Sequence, residues 1–179
     1  MTRADGSIEK VAAKLRREFD RSFAAVPTQP PRLESLLAVR VAGDAYAIRL
    51  TEIGGLYADK RVIPLPTYAP NLLGVAGFRG QVVPVYDLAA LLGYASRPAA
   101  RWLVLAAGRD PVAFAFERFE TQLMVSPESE IVSGGRQENR AHLRGAVQMR
   151  GVVRPIVHLQ SVVEEIRKRA EATPITKER

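Results

Sequence analysis

Gly74-Val-Ala-Gly-Phe-Arg-Gly-Gln-Val-Val-Pro-Val-Tyr-Asp-Leu88 sets an Arg-Gly pair before a valine-rich strand, interrupts the strand with a proline, and ends on an aspartate. By itself the stretch would suit a catalytic loop or a tight hairpin in a binding module. Its recurrence decides between them. At a spacing of 71 residues Gly74 meets Gly145, Arg79 meets Arg150, Gly80 meets Gly151, Pro84 meets Pro155 and Leu88 meets Leu159. Upstream, at a spacing of 66, Ala47 meets Ala113, Ile48 meets Phe114, Leu50 meets Phe116 and Ile53 meets Phe119. Landmarks repeated in one order make the chain an internal duplication of two β modules, each of ~65–70 residues.

An active site seldom occurs twice in one short chain, whereas a hairpin repeats whenever its module does. The glycines therefore read as turn positions that need positive φ or close backbone approach, and the prolines as sheet edges or barrel corners. The widened spacing places extra residues in the polar segment 126–139, read as a longer surface loop.

The flanking strands follow from period-2 alternation. Leu36–Val41 and Tyr46–Leu50 form a hairpin turning at Gly43-Asp44, and Trp102–Ala106 with Val112–Phe116 repeat it. Arg61–Pro66 is extended and proline-limited, which places it at an edge. After Asp87, Leu88–Leu92 makes one or two helical turns that Gly93 stops. The modules are expected to divide near residues 93–101, with separate cores: Val39, Tyr46, Ile48 and Val83 in the first, and Trp102, Phe114, Phe116 and Phe119 in the second.

Ahead of this region, Ile8, Val11, Ala12, Leu15, Phe19 and Phe23 recur at helical spacing until Val26-Pro-Thr-Gln-Pro-Pro-Arg32 breaks the pattern. Residues 1–32 thus read as an amphipathic helical appendage on a Pro-rich linker, suited equally to packing in cis and to docking on a partner. Residues 33–166 form the folded region, expected to comprise modules at 33–95 and 100–163 and a short C-terminal helix. Residues 167–179 are a charged tail.

Composition removes whole classes of function. No cysteine is present, which excludes disulfides and thiolate chemistry. The first residues lack an apolar core of signal-peptide length, and no apolar run approaches the roughly 20 residues that span a bilayer. A cytoplasmic protein without direct membrane insertion is expected. The net charge of +7 is diffuse: +3 lies in residues 1–32, +1 in 164–179, and the remaining +3 across the residues between. Aromatic residues are not interleaved with the basic ones as a nucleic-acid stacking platform requires, so no nucleic-acid partner is expected.

Catalytic signatures are also missing. Two histidines, His142 and His158, are too few for a histidine-rich metal site, and His158 at the repeat position of Asp87 suggests a surface or hairpin-stabilising role. There is no P-loop and no Gly-x-Ser-x-Gly elbow. Glu117 and Glu120 sit in a phenylalanine-rich segment and read as rimming a core rather than as an acid/base pair. No catalytic residue, metal or cofactor is expected.

Tyr46-Ala-Ile-Arg-Leu-x-Glu52-Ile53, Ile63-Pro-Leu-Pro66 and Leu73–Leu88, continued by Val112–Phe119, Val125-Ser-Pro127 and Leu143-x-Gly145…Gly151, resemble the CheW family of chemotaxis adaptors over about residues 34–166. The resemblance implies two small five-stranded SH3-like barrels meeting across a hydrophobic interface, with no catalysis. It further implies an adaptor coupling a CheA-type histidine kinase to the cytoplasmic tips of methyl-accepting chemoreceptors. One barrel would pair with the kinase's homologous regulatory domain, and a groove between the barrels would take the receptor helices. Carried over residue by residue, Glu52, Ile53, Gly74, Phe78, Arg79 and Gly80 stand at partner-binding positions. Arg79 beside a glycine turn calls for a carboxylate, and Glu52 is the expected partner.

The chain departs from the family at three points. Gly77-Phe78-Arg79-Gly80 replaces the usual Asn-Leu-Arg-Gly, Arg150 stands where an acidic residue is common, and His158 replaces an aspartate. Two further readings accompany the adaptor: a CheW-like module of a divergent, non-chemotaxis kinase pathway, and, from a different class, a basic RNA-associated β-barrel protein with a pI near 10.1.

Overall fold

The computed structural model describes Lys14 and residues 33–66, 69–94, 100–126, 129–131 and 141–172. The chain divides into two units, Met1–Arg32 and Leu33–Arg179. Apart from Lys14, the expected N-terminal helix and linker lie outside the described residues, as do 173–179 of the expected tail and most of the polar loop.

Among the described residues of the second unit there are eleven strands: β1 (Glu34–Val41), β2 (Asp44–Arg49), β3 (Ile53–Ala58), β4 (Leu72–Phe78), β5 (Gln81–Asp87), β6 (Trp102–Ala106), β7 (Ala113–Phe116), β8 (Arg118–Val125), β9 (Glu130–Ile131), β10 (Leu143–Met149) and β11 (Val152–Val157). A 3-10 turn, Leu50–Glu52, follows β2, and α1 (Leu88–Leu91) and α2 (Leu159–Ala172) follow the matching strands β5 and β11. The fold is mainly β, as the sequence predicts.

The strands do not sort by half of the chain. One sheet runs β8-β1-β2-β11-β10-β9 and the other β3-β6-β7-β5-β4. The β1–β2 hairpin of the first half therefore completes the sheet built from the second half, and β6–β7 does the reverse. Parallel contacts make the joins, β11 against β2 and β5 against β7. The expected division at residues 93–101 is corrected accordingly. Both hairpins are apolar on both faces, and periodicity cannot show which sheet a two-faced hairpin enters.

Both sheets close in the same way. Downstream of β3, Ile63 bridges Val75 of the edge strand β4 through two 2.8 Å backbone bonds. Downstream of β8, Ile131 pairs with Ala146, the repeat counterpart of Val75. The prolines around Ile63 are tolerated because the segment is an edge.

The apolar side chains separate into three clusters. Leu36, Ala38, Ala47, Leu123, Val147 and Ile156 fill the six-stranded barrel. Ala76, Phe78, Val83, Val85, Leu103, Ala113 and Ala115 fill the five-stranded one. Between them a central core joins Val39, Tyr46 and Ile48 to Phe114 and Phe116, with Trp102 and Phe119 packed against it and α2 contributing Leu159, Val162, Val163 and Ile166. The expectation of two separate cores is thus corrected: residues assigned to different modules share one, and only Val83 lies apart. Each exchanged strand alternates Cβ directions, so one face fills a barrel and the other enters the shared core.

Candidate partner-binding site

The repeated Arg-Gly pairs are two-residue hairpin turns. Arg79 and Gly80 have φ of 48° and 82°, and Arg150 and Gly151 of 50° and 77°. Positive φ at both central residues defines the turn whose twist matches the flanking strands. The β1–β2 turn uses the same geometry at Ala42 and Gly43, with φ of 53° and 88°, one residue earlier than the sequence suggests.

The six partner-binding candidates are not brought together on one exposed face. Arg79 and Gly80 are exposed at the tip of β4–β5. Phe78 points inward, 2% exposed, its ring meeting Tyr57 edge-on at 4.9 Å. Lys60 crosses both rings and donates to the Gly77 carbonyl. Gly74 is buried where β4 receives Ile63. Ile53 is half-buried at the start of β3, paired with Ala106. The tip also carries Val82, 74% exposed, and the neighbouring edge segment exposes Ile63 and Leu65. Val82 lies within the stretch quoted above, but its alternation with Val83 does not reveal which valine faces water.

Glu52 is elsewhere engaged. Its Oε2 accepts a 2.6 Å hydrogen bond from the Leu159 backbone N–H at the start of α2, and its Oε1 lies 3.8 Å from His158 Nε2. The expected Glu52–Arg79 pair is therefore corrected. Among the described residues Arg79 makes no ion pair, and the carboxylate serves a helix N-terminus, where backbone donors and the helix dipole favour negative charge. No local pattern announces a bond across 107 residues of chain.

The histidines are explained by α2. His158 Nδ1 accepts from Ser161 N at 3.1 Å, and its repeat counterpart Asp87 accepts from Ala89 N at 2.9 Å. Both are N-caps. His142 is buried, with Nε2 2.6 Å from Glu165 of α2 and Nδ1 3.0 Å from Ser161 Oγ. No cluster that could hold a metal ion occurs among the described residues.

Glu117 and Glu120 do not act as a pair. Glu117 accepts from the Gly43 N–H at 2.8 Å. Glu120 joins Arg40 at 2.7 Å and Arg154 at 2.6 Å inside one end of the six-stranded barrel, a triad the sequence does not announce. Arg154 matches Val83 in the repeat, and its Nε and Nη1 are buried without hydrogen-bond partners. Burial pushes the Glu120 carboxyl up, but hydrogen bonds from Arg40 and Arg154, and their charges, outweigh it and hold the group below its ordinary range. A carboxylate depressed in the folded state stabilises above its unfolded value, about 4.3 for glutamate, and that contribution disappears as pH falls through the folded value. The melting temperature is expected to drop on acidification below about pH 4.3, and Glu120→Gln to flatten part of that drop. An unchanged pH profile in the variant would refute the assignment.

Beside α1 a cleft of about 210 Å³ is lined by Val41, Ala42, Asp87, Ala89, Ala100, Phe116 and Glu117. Its carboxylates are engaged, Asp87 with the α1 backbone and Glu117 with Gly43. Among the described residues the lining contains no hydroxyl, imidazole or amine.

Two interlocked β barrels with exposed hairpin tips define a duplicated β scaffold. A family model described as the CheW-like domain matches residues 35–167. The chain belongs to the CheW-like domain family. Its fold is similar to the crystal structure of scaffolding protein TtCheW from Thermoanaerobacter tengcongensis, with a TM-score of 0.63 at 14% identity, covering 70% of this chain and 88% of that one. No curated protein matches the chain by sequence.

Proposed function

We propose that the chain is a non-catalytic adaptor that couples a CheA-type histidine kinase to the cytoplasmic tips of chemoreceptors, working in the cytoplasm. The family match over residues 35–167 carries this reading. Among the described residues no helix is long and apolar enough to cross a membrane, which agrees with a protein that meets receptors at their cytoplasmic ends.

In this reading the β4–β5 tip is the contact surface. Arg79 offers a planar fork of donors to acidic or carbonyl groups, Gly80 lets the partner backbone approach, and Val82 with Ile63 and Leu65 supplies apolar area. Gly74 and Phe78 hold the hairpin from beneath, and Ile53 anchors the adjoining strand.

The test is Arg79→Ala. Because Arg79 is exposed and makes no ion pair among the described residues, the substitution should change stability by less than ~0.5 kcal/mol. Binding to kinase or receptor should weaken at least ~10-fold, as expected for a loss of roughly 1.4 kcal/mol at an interface. Calorimetry on purified partners reads both quantities. A parent protein that binds neither kinase nor receptor would sink the function, and unchanged binding by the variant would remove Arg79 from the surface.

A further inference from the structure

We infer that His142 is a buried imidazolium and a positioning residue that clamps the first two turns of α2 onto the turn ahead of β10. The assignment follows from counting protons. Ser161 Oγ lies 2.8 Å from the His158 carbonyl oxygen, which can only accept, so the single hydroxyl proton points there. Oγ also lies 3.0 Å from His142 Nδ1. With its proton committed, the hydroxyl accepts at that contact, and Nδ1 must carry a hydrogen. On the other side of the ring, Nε2 is 2.6 Å from Glu165 Oε2, a carboxylate oxygen that also accepts. Two acceptors facing one ring require two ring protons.

The neighbouring charge places the second proton on the histidine rather than on Glu165. Arg169, one turn further along α2, pairs with Glu165 Oε1 and favours the ionised carboxylate. Burial opposes charge on the ring, whose side chain is 8% exposed, and the carboxylate at hydrogen-bond distance offsets that cost. Ser161, Glu165 and Arg169 follow one another at a spacing of four, so they form one stripe along the helix.

The other half of the chain carries the backbone part of this arrangement without the clamp. Asp87 N donates to the Asn71 carbonyl at 2.8 Å, just as His158 N donates to the His142 carbonyl at 2.8 Å. The 71-residue spacing puts Asn71, Ala90 and Tyr94 at the positions of His142, Ser161 and Glu165, a set with neither imidazole nor carboxylate. There α1 ends at Leu91, whereas α2 runs on to Ala172. The clamp is therefore an addition to the longer helix and not a requirement of the barrel. It holds α2, whose Leu159, Val162, Val163 and Ile166 enter the central core, whichever partner the β4–β5 tip meets.

Nitrogen-15 spectroscopy of the imidazole rings in the full chain tests it, and a chain with two histidines keeps the spectrum simple. At neutral pH His142 should show two ring N–H protons, both slow to exchange with water. His158, whose Nδ1 accepts from Ser161 N, supplies the one-proton reference. A His142 ring with a single proton would overturn the assignment in the parent protein, with no variant needed. Glu165→Gln should return the ring to one proton, on Nδ1, because the new amide can donate to Nε2. A ring still doubly protonated in that variant would overturn the role given to Glu165. His142→Phe should speed the opening of α2 amides at least ~10-fold, as expected for losing hydrogen bonds made by a charged group, while β4–β5 amides keep their protection. Unchanged protection of α2, or an equal loss in α2 and β4–β5, would overturn the clamp.

Discussion

Gly74→Ala is expected to be the most damaging single-methyl change in the chain, costing about 4 kcal/mol. Two independent effects add there. Gly74 has φ of +143°, a region that side chains rarely adopt, and a Cβ built on it would lie 2.1 Å from the Ile63 carbonyl oxygen and 2.8 Å from the Pro64 Cα. Both atoms belong to the backbone that closes the five-stranded barrel, so neither can rotate away. Relief requires breaking the Ile63–Val75 bridge and opening the barrel along β4. Gly80→Ala is the control: φ is +82°, but nothing lies within 4 Å of its Cβ, so only the backbone cost of ~1 kcal/mol remains. Denaturant unfolding of both variants distinguishes the effects, and a Gly74→Ala protein within 1 kcal/mol of Gly80→Ala would contradict the account.

Phe114→Ala should cost about 3–5 kcal/mol, the range for deleting a buried aromatic ring. Phe114 is fully buried in the core shared by the two barrels. The form of the unfolding curve carries more information than its midpoint. If each half had its own core, truncating Phe114 would weaken one barrel and split the transition. With β6–β7 inserted between strands of the first half, and its outer face in the common core, both barrels should lose stability together in one transition. Fluorescence of Trp102, the single tryptophan, reports on the five-stranded sheet, and exchange of β10 and β11 amides reports on the other. Non-coincident transitions would restore the picture of independent modules.

Several features were legible because they depend on neighbours in sequence. Arg79-Gly80 and Arg150-Gly151 announce turns, and their duplication removes the catalytic reading of the opening stretch. Proline at 64 and 66 places an edge, which Ile63 occupies. The candidate site is less legible. Arg79 and Gly80 are presented at a surface, but Phe78 and Gly74 are structural from within, because a position in a motif does not reveal which side of the strand faces solvent. Glu52 does not meet Arg79. Its carboxylate meets Leu159 N–H, a backbone donor that no residue identity advertises.

By itself the sequence determined a duplicated, mainly β chain without cysteine, the positions of its turns, and its resemblance to CheW-like adaptors. These follow from backbone preferences of glycine and proline, from period-2 alternation and from the repeat, all properties of short stretches. The tertiary structure alone decided that β1–β2 and β6–β7 trade places, that Phe114 and Ile48 share a core, that Arg40, Glu120 and Arg154 meet inside one barrel, and that Glu52 caps α2. The reason is physical. Hairpins apolar on both faces fit either sheet by pattern, so their placement is selected by packing and by the pairing of buried charges, which join residues far apart in the chain.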